Sequence, residues 1–388
     1  MTGLRITAVE LSRHGGAVSR VATARGEWSA RQGLLVQLCD DQGHRGLGEA
    51  SPLPGYSPDD LDDCEAELRA LDSAALTVEP RGGDDDGTGL LVRLAAVTGR
   101  VRAPAARFAL ETALLDVIAQ RTGAPLWRVL RAGAGLGPDP RHADAPAAVP
   151  LNAVCAQGDP GRVLDDVAAA HARGIRCFKL KVGRDVPSEL AALEAARARH
   201  GDEISLRADA NQAWQPAQAR EHLQRLAALA PEYVEEPVVA PMAHLAALAP
   251  LPVPVALDES LAFTDTRTTP AADARVPELD ALLAAGLASV LVLKPMLLGG
   301  ALPAMALARR ARAHGADVVI SHIFDGPVAL AACAHLAVAL AASRACGLDR
   351  HNGLQAWPEI DIPFLGQARV DVPHQPGLGV SAPIEDRS

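Results

Sequence analysis

A chain of 388 residues, 49% hydrophobic and 22% charged, has the make-up of a globular enzyme with a large core, not of a disordered or fibrous protein. Its net charge of −10 argues against nucleic acid or an anionic membrane as the main partner, because both call for a basic face. The six cysteines are scattered without a CxxC pair, which points to neither a zinc framework nor a disulfide scaffold and fits a reducing cytoplasm.

The N-terminus lacks a basic stretch followed by an apolar run, so no secretory leader is expected. Residues 1–130 carry strand-like runs at 5–11 and 34–39, a Gly/Pro-rich loop at 46–57 and helical segments near 59–71 and 105–120. This is an α+β pattern, expected to form a capping domain with a loop at 52–57 lying over a site. Residues 131–148, with Gly133, Gly135, Gly137, Pro138, Pro140 and Pro146, read as a linker; no G-x-G-x-x-G joins a strand to a helix, which disfavours a dinucleotide-binding sheet.

From 149 to 353 short β-rich runs alternate with Ala/Leu/Arg-rich stretches of helical period. Strands are expected at 151–156, 177–182, 204–209, 233–236, 253–258, 290–294 and 318–322, with a weaker eighth near 346–354. Such alternation implies a parallel sheet, and seven to eight units imply a β/α barrel. The Ala/Leu-rich stretch 328–346 contains His335 and Arg344 and reads as a buried helix, not a membrane span. Residues 354–388 are expected to pack back on the capping domain. Oligomeric state is left open by the sequence.

Only three of the 37 basic residues are lysines: Lys179, Lys181 and Lys294. A guanidinium stays charged, whereas a desolvated ammonium can lose its proton and act as a base, so lysines kept in an arginine-rich chain mark positions where arginine fails. All three end strand-like runs, and Lys179 and Lys181, two apart, share one face. Further runs end in Asp209, Glu235 and Asp258. In a barrel of this kind strand ends converge on one mouth, which brings three carboxylates together between lysines. Their repulsion is resolved by a hard dication with oxygen ligands, Mg²⁺ or Mn²⁺. Neighbouring cations lower the pKa of a lysine toward that of a useful base, which suits removal of a proton α to a metal-bound carboxylate. The partner is then a small-molecule carboxylate substrate.

Asn211 shares the face of Asp209, as an orienting or loop-capping residue. Glu236 and Glu259 neighbour proposed ligands and point away if the strands are regular. Trp214 either walls the pocket or packs a helix start. Ser321 and His322, at the end of the seventh run, have no firm assignment.

Taken together, the Lys179-x-Lys181 pair, Asp209-Ala-Asn-Gln-Ala-Trp214 and Leu293-Lys-Pro-Met-Leu-Leu-Gly299 resemble the enolase superfamily, in the muconate-lactonizing-type branch. The resemblance covers nearly the whole chain. It implies that Asp209, Glu235 and Asp258 bind Mg²⁺, that Lys181 is the general base and that Lys294 is the opposing cation. The segment Gly48-Glu-Ala-Ser-Pro-Leu-Pro-Gly-Tyr-Ser57 is similar to the capping loop of o-succinylbenzoate synthases, which places Tyr56 near substrate. That likeness implies a syn dehydration of 2-succinyl-6-hydroxy-2,4-cyclohexadiene-1-carboxylate, through an enediolate, in menaquinone biosynthesis. The alternative is an N-acylamino acid racemase or dipeptide epimerase with Lys181 and Lys294 as paired bases. Against the epimerase stands the lack of an Asp-x-Asp motif, since residues 347–353 offer Asp349 alone.

Overall fold

A computed structural model describes residues 3–23, 26–78, 88–134, 148–155, 159–262, 275–366 and 368–382. The N-terminal part is an antiparallel meander of β1 (Ile6–Thr23), β2 (Gly26–Asp40) and β3 (Arg45–Ala50). Helices α1 (Leu61–Arg69) and α2 (Pro104–Arg121) follow in chain order, with a further helix over Thr88–Thr98 between them, and α3 (Leu126–Gly133) ends the part. Pro104 opens α2 at its first turn, where a missing N–H is harmless. Every residue from Pro104 to Ala119 is buried, because this helix is enclosed between the sheet and the barrel.

The sequence reading placed 46–57 in a loop, whereas Gly46 and Gly48 lie within β3. The two glycines are there for close approach. A Cβ on Gly48 would lie 1.9 Å from the Ala109 carbonyl oxygen, and one on Gly46 would lie 2.1 Å from that of Ala113. Since both obstacles are backbone of α2, neither can swing aside. Gly48→Ala is expected to destabilise the protein by about 3 kcal/mol or more through overpacking, read as a lowered urea midpoint. A midpoint within experimental error of wild type would show that the sheet and helix are not locked together here. The strand over 5–11 also continues much further than expected, to Thr23, by pairing with β2 across two register shifts.

Among the described residues the second half holds seven parallel strands in sequential order: β4 (Asn152–Cys155), β5 (Cys177–Lys181), β6 (Ser205–Asp209), β7 (Tyr233–Glu235), β8 (Val255–Leu257), β9 (Val290–Leu293) and β10 (Asp317–Ile320). Each matches an expected run to within two residues at either end, save that Ala156 lies outside the described residues. The eighth strand is shorter than expected. It consists of bridges at Cys346 to Leu151 and at Gly347 to Ser321, which close the barrel, and 352–356 turns instead into a 3₁₀ helix. The expected linker begins later than residue 131, since α3 runs to Gly133, and 135–147 lie outside the described residues.

The stretch 328–346 contributes a helix over Pro327–Ala339 that is buried throughout. No helix among the described residues is long and apolar enough to cross a membrane. Toward the C-terminus, Arg369–Val370 pairs with Val149–Pro150 beside the barrel, while the Leu378 amide donates to Asp116 of α2 at 2.7 Å.

On the side of α2 facing the barrel, Glu111 accepts a hydrogen bond from the Leu302 amide at 3.0 Å. Burial pushes its carboxyl up to about 8, with the Leu302 and Ala301 amides and Arg107 opposing the shift. An acid whose folded pKa exceeds its unfolded value of 4.5 stabilises the fold least once the pH has risen through that interval, because only the unfolded chain ionises freely there. We expect the denaturation midpoint to fall from pH 5 to pH 8, and to fall less steeply in Glu111→Gln. Parallel profiles for the two proteins would exclude Glu111 as a source of the effect.

Candidate active site

Parallel pairing carries side-chain facing from strand to strand, so one register line builds the site. Lys181 is the Cα partner of Asp209, and Asp209 is the partner of Glu235. All three point into the barrel at the C-terminal ends of β5, β6 and β7. Asp258 follows β8 and Lys294 follows β9. The structure therefore brings together the six residues singled out for the chemistry.

Their contacts divide the lysines into two kinds. The Lys179 ammonium lies 3.0 Å from Glu235 Oε1 and 3.1 Å from Asp209 Oδ2, and Lys294 lies 2.5 Å from Asp258 Oδ2. Burial pulls both pKa values down; the carboxylates outweigh it and hold both well above the ordinary lysine value. Among the described residues Lys181 has no such partner. Its ammonium donates to Asn211 Oδ1 at 2.9 Å, and burial lowers its pKa, helped by the cations of Lys179 and Lys294 and opposed by Asp209. One lysine is thus biased toward the free amine, and two are fixed as cations.

The carboxylates are strained electrostatically. Burial raises Glu235, and the charges of Asp209 and Asp258 raise it further against Lys179. Burial also raises Asp258, whereas Lys179 and Lys181 pull Asp209 below its usual range. Among the described residues no three Asp, Glu, His or Cys side chains are already gathered around one point as a metal would hold them, because lysines occupy the space between them. The donor set nonetheless fits a hard divalent cation: three buried carboxylates on consecutive strands and no sulfur or imidazole among them.

Around this centre, Asn211 both orients and caps. Besides accepting from Lys181, it donates to Glu259 Oε1 at 2.8 Å, and its amide donates to Asp209 Oδ1 at 3.1 Å. Its φ of +43°, followed by +61° at Gln212, makes the tight left-handed turn that asparagine tolerates better than most residues. Glu236 turns away from the mouth and accepts from the amides of Asp258 and Ser260 at 2.7 and 2.9 Å, bracing the loop that carries Asp258. Tyr56, on the 52–57 loop, lies with its hydroxyl 3.3 Å from the Lys294 ammonium, which donates to it, and its ring 5.6 Å from that cation. The loop is a rigid turn, since the Tyr56 and Ser57 amides both donate to the Leu53 carbonyl, and it also reaches the site.

Three other candidates are held in structural contacts, although burial lowers the pKa of His322 and the charges of the nearby Lys294 and Lys179 lower it further. Ser321 donates to the Gly347 carbonyl at 3.4 Å, across the barrel closure. Trp214 is buried and packs on His222, so it is a helix-start contact. His322 accepts from the Phe324 amide and stacks on His351 with ring centroids 4.4 Å apart.

The sequence reading missed the supports beneath and beside the site. Arg207, two residues before Asp209 and so on the same face, is fully buried under the carboxylates. It donates to Glu232 at 2.7 Å, to Asn152 at 3.1 Å and to the Ala345 carbonyl at 2.7 Å, stitching the closing gap of the barrel. Its position in an inward-facing apolar strand was the available signal. Arg31 donates to the carbonyls of Ser51, Pro52 and Phe324, and Glu49 accepts from the Gly326, Val328 and Ala329 amides at 2.6, 3.0 and 3.2 Å. Nothing local in the sequence marks the distant partners, Phe324 for Arg31, 293 residues away, and the amides from Gly326 on for Glu49, 277 or more residues away.

Comparison with known proteins gives the family of the chain. The family model described as "Enolase C-terminal domain-like" matches residues 162–387, more than half of the chain. The chain belongs to the enolase superfamily, in its muconate-lactonizing-type branch. Within this superfamily it is 31% identical to an o-succinylbenzoate synthase from Desulfotalea psychrophila over 335 residues, 80% of this chain and 84% of that protein. It is 26% identical to an N-succinyl-L-Arg/Lys racemase from Bacillus cereus over 287 residues, 71% of this chain and 69% of the racemase. The fold matches that of a muconate lactonizing enzyme from Pseudomonas fluorescens with a TM-score of 0.75 at 24% identity, covering 97% of this chain and 96% of that one. Synthase and racemase relatives thus stand at comparable identity.

Proposed function

We propose that the chain is an o-succinylbenzoate synthase, a lyase that removes water from 2-succinyl-6-hydroxy-2,4-cyclohexadiene-1-carboxylate. The observation that carries this reading is the 52–57 loop, similar to the capping loop of o-succinylbenzoate synthases, which brings the Tyr56 hydroxyl to 3.3 Å from the Lys294 ammonium. A racemase uses both lysines in turn, one free and one protonated in each direction, so their charges alone do not separate the two reactions. Burial lowers the pKa of Lys181, and Lys294 lies beside Asp258 as a cation. A dehydration needs only one base, and Lys181 can serve as it.

In this reading Asp209, Glu235 and Asp258 would hold Mg²⁺ or Mn²⁺, which when bound supplies Lewis-acid polarisation of the substrate carboxylate. The Lys181 amine takes the α proton, and the negative charge that develops is met across the ring by the Lys294 ammonium. The protonated Lys181 then returns that proton to the departing hydroxyl as the C–O bond breaks. Water leaves, the ring becomes aromatic and Lys181 is again the free amine. Lys179 remains charged between Asp209 and Glu235, and its field adds to burial in lowering the pKa of Lys181. A cytoplasmic place in menaquinone biosynthesis follows from this assignment.

A second observation weighs against the dipeptide epimerase alternative. Asp349, the lone acid in the region where a pair would be needed, is engaged by Arg173 at 2.8 Å. The deciding experiment incubates the purified protein with Mg²⁺ and the cyclohexadiene and follows the aromatic product. Absence of turnover, together with exchange of the α proton of N-succinylamino acids in deuterated solvent, would replace the synthase with the racemase.

A further inference from the structure

One residue at the mouth has no part in the proton chemistry. On β4, Asn152 faces the barrel interior, where its side chain accepts from Arg207, so Val154, two residues on, faces the same way. The register agrees, since Val154 is the Cα partner of Lys179, whose ammonium reaches into the barrel to Asp209 and Glu235. Yet Val154 is 57% exposed, one of two large hydrophobic residues so exposed among those described. A lone exposed valine on an outer surface would need no explanation. This one faces inward, beside a ring of lysines and carboxylates where a polar side chain would be the cheaper choice in water.

We infer that Val154 is a specificity-determining residue: an apolar subsite on the first barrel strand that takes the unsubstituted hydrocarbon face of the substrate ring. The inference rests on the synthase reading for the identity of the ring, but the subsite itself is defined by facing, register and exposure. The charged groups fix the carboxylate end of a ligand; they offer nothing to a hydrocarbon edge, which would otherwise be desolvated against ammonium groups. Val154 supplies the one uncovered aliphatic surface on the strand next to Lys179. Its β-branched side chain also holds a single preferred rotamer, so the surface is preformed.

The test compares binding, not turnover. Dissociation constants are measured calorimetrically in Mg²⁺ for 2-succinylbenzoate and for the ring-free N-succinylglycine, using wild type, Val154→Ser and Val154→Leu. Val154→Ser is expected to weaken 2-succinylbenzoate roughly fivefold, about what burying the accessible part of one valine provides, and to leave N-succinylglycine within about twofold. Val154→Leu is expected to keep wild-type affinity for the aromatic ligand. Equal weakening of both ligands, no weakening of either, or failure of the wild type to bind 2-succinylbenzoate would each overturn the subsite. Because the substitution is on an exposed side chain, an unchanged melting temperature serves as the control for folding. If the wild type binds the aromatic ligand through Val154 but does not dehydrate the cyclohexadiene, the subsite stands and the synthase reading falls.

Discussion

Lys181→Arg is expected to lower turnover of the cyclohexadiene by roughly 10³-fold or more, with a much smaller change in KM. The guanidinium preserves the positive charge and much of the reach, so ground-state binding of an anionic substrate is largely kept. What disappears is the free amine, since arginine does not give up its proton in a protein. The same substitution at Lys294 separates the two readings of the site. If Lys294 serves only as a cation, Lys294→Arg retains a measurable fraction of activity, whereas a two-base mechanism loses proton transfer on one face in either variant. Turnover of Lys181→Arg near the wild-type rate would remove Lys181 from the role of base. Equal collapse of both variants would show that Lys294 supplies more than charge.

The second large effect concerns the carboxylates. Asp209, Glu235 and Asp258 are buried beside one another, compensated among the described residues by Lys179, Lys294 and the Asn211 amide. Mg²⁺ is therefore expected to raise the melting temperature of the wild type with a saturable concentration dependence, since a ligand that binds only the folded state stabilises it. Asp209→Asn is expected to weaken that Mg²⁺ response by roughly tenfold or more in apparent affinity and, like chelation of the metal, to abolish turnover. A Mg²⁺ titration of Asp209→Asn that overlays the wild type would show that Asp209 is not a ligand.

How much of this was legible in the sequence depends on the range of the interaction. Strand ends such as Lys181, Asp209 and Glu235 were readable because alternation and apolar runs are local, and a parallel barrel converts them into one mouth. Gly46 and Gly48 were misread for a physical reason: glycine that permits a turn and glycine that admits a neighbouring helix look alike until the helix is in place. The eighth strand was overextended because bridges at only Cys346 and Gly347 complete the wall, with Arg207 filling the gap from below. Arg31 and Glu49 were invisible because Phe324 and the amides of Gly326, Val328 and Ala329 come from the other end of the chain.

Glu49 also has a kinetic meaning. Its carboxylate takes three amide donors around the start of the helix Pro327–Ala339, residues 277 to 280 positions later, where few ligands besides solvent could satisfy them. During synthesis the sheet that presents Glu49 emerges first and must wait for nearly the whole barrel before this contact exists. The loop closed by that pairing is among the longest the chain can form, so its entropy is repaid late. A chain that stops before this helix lacks those three donors and leaves Glu49 with its local partner, the Ser51 hydroxyl.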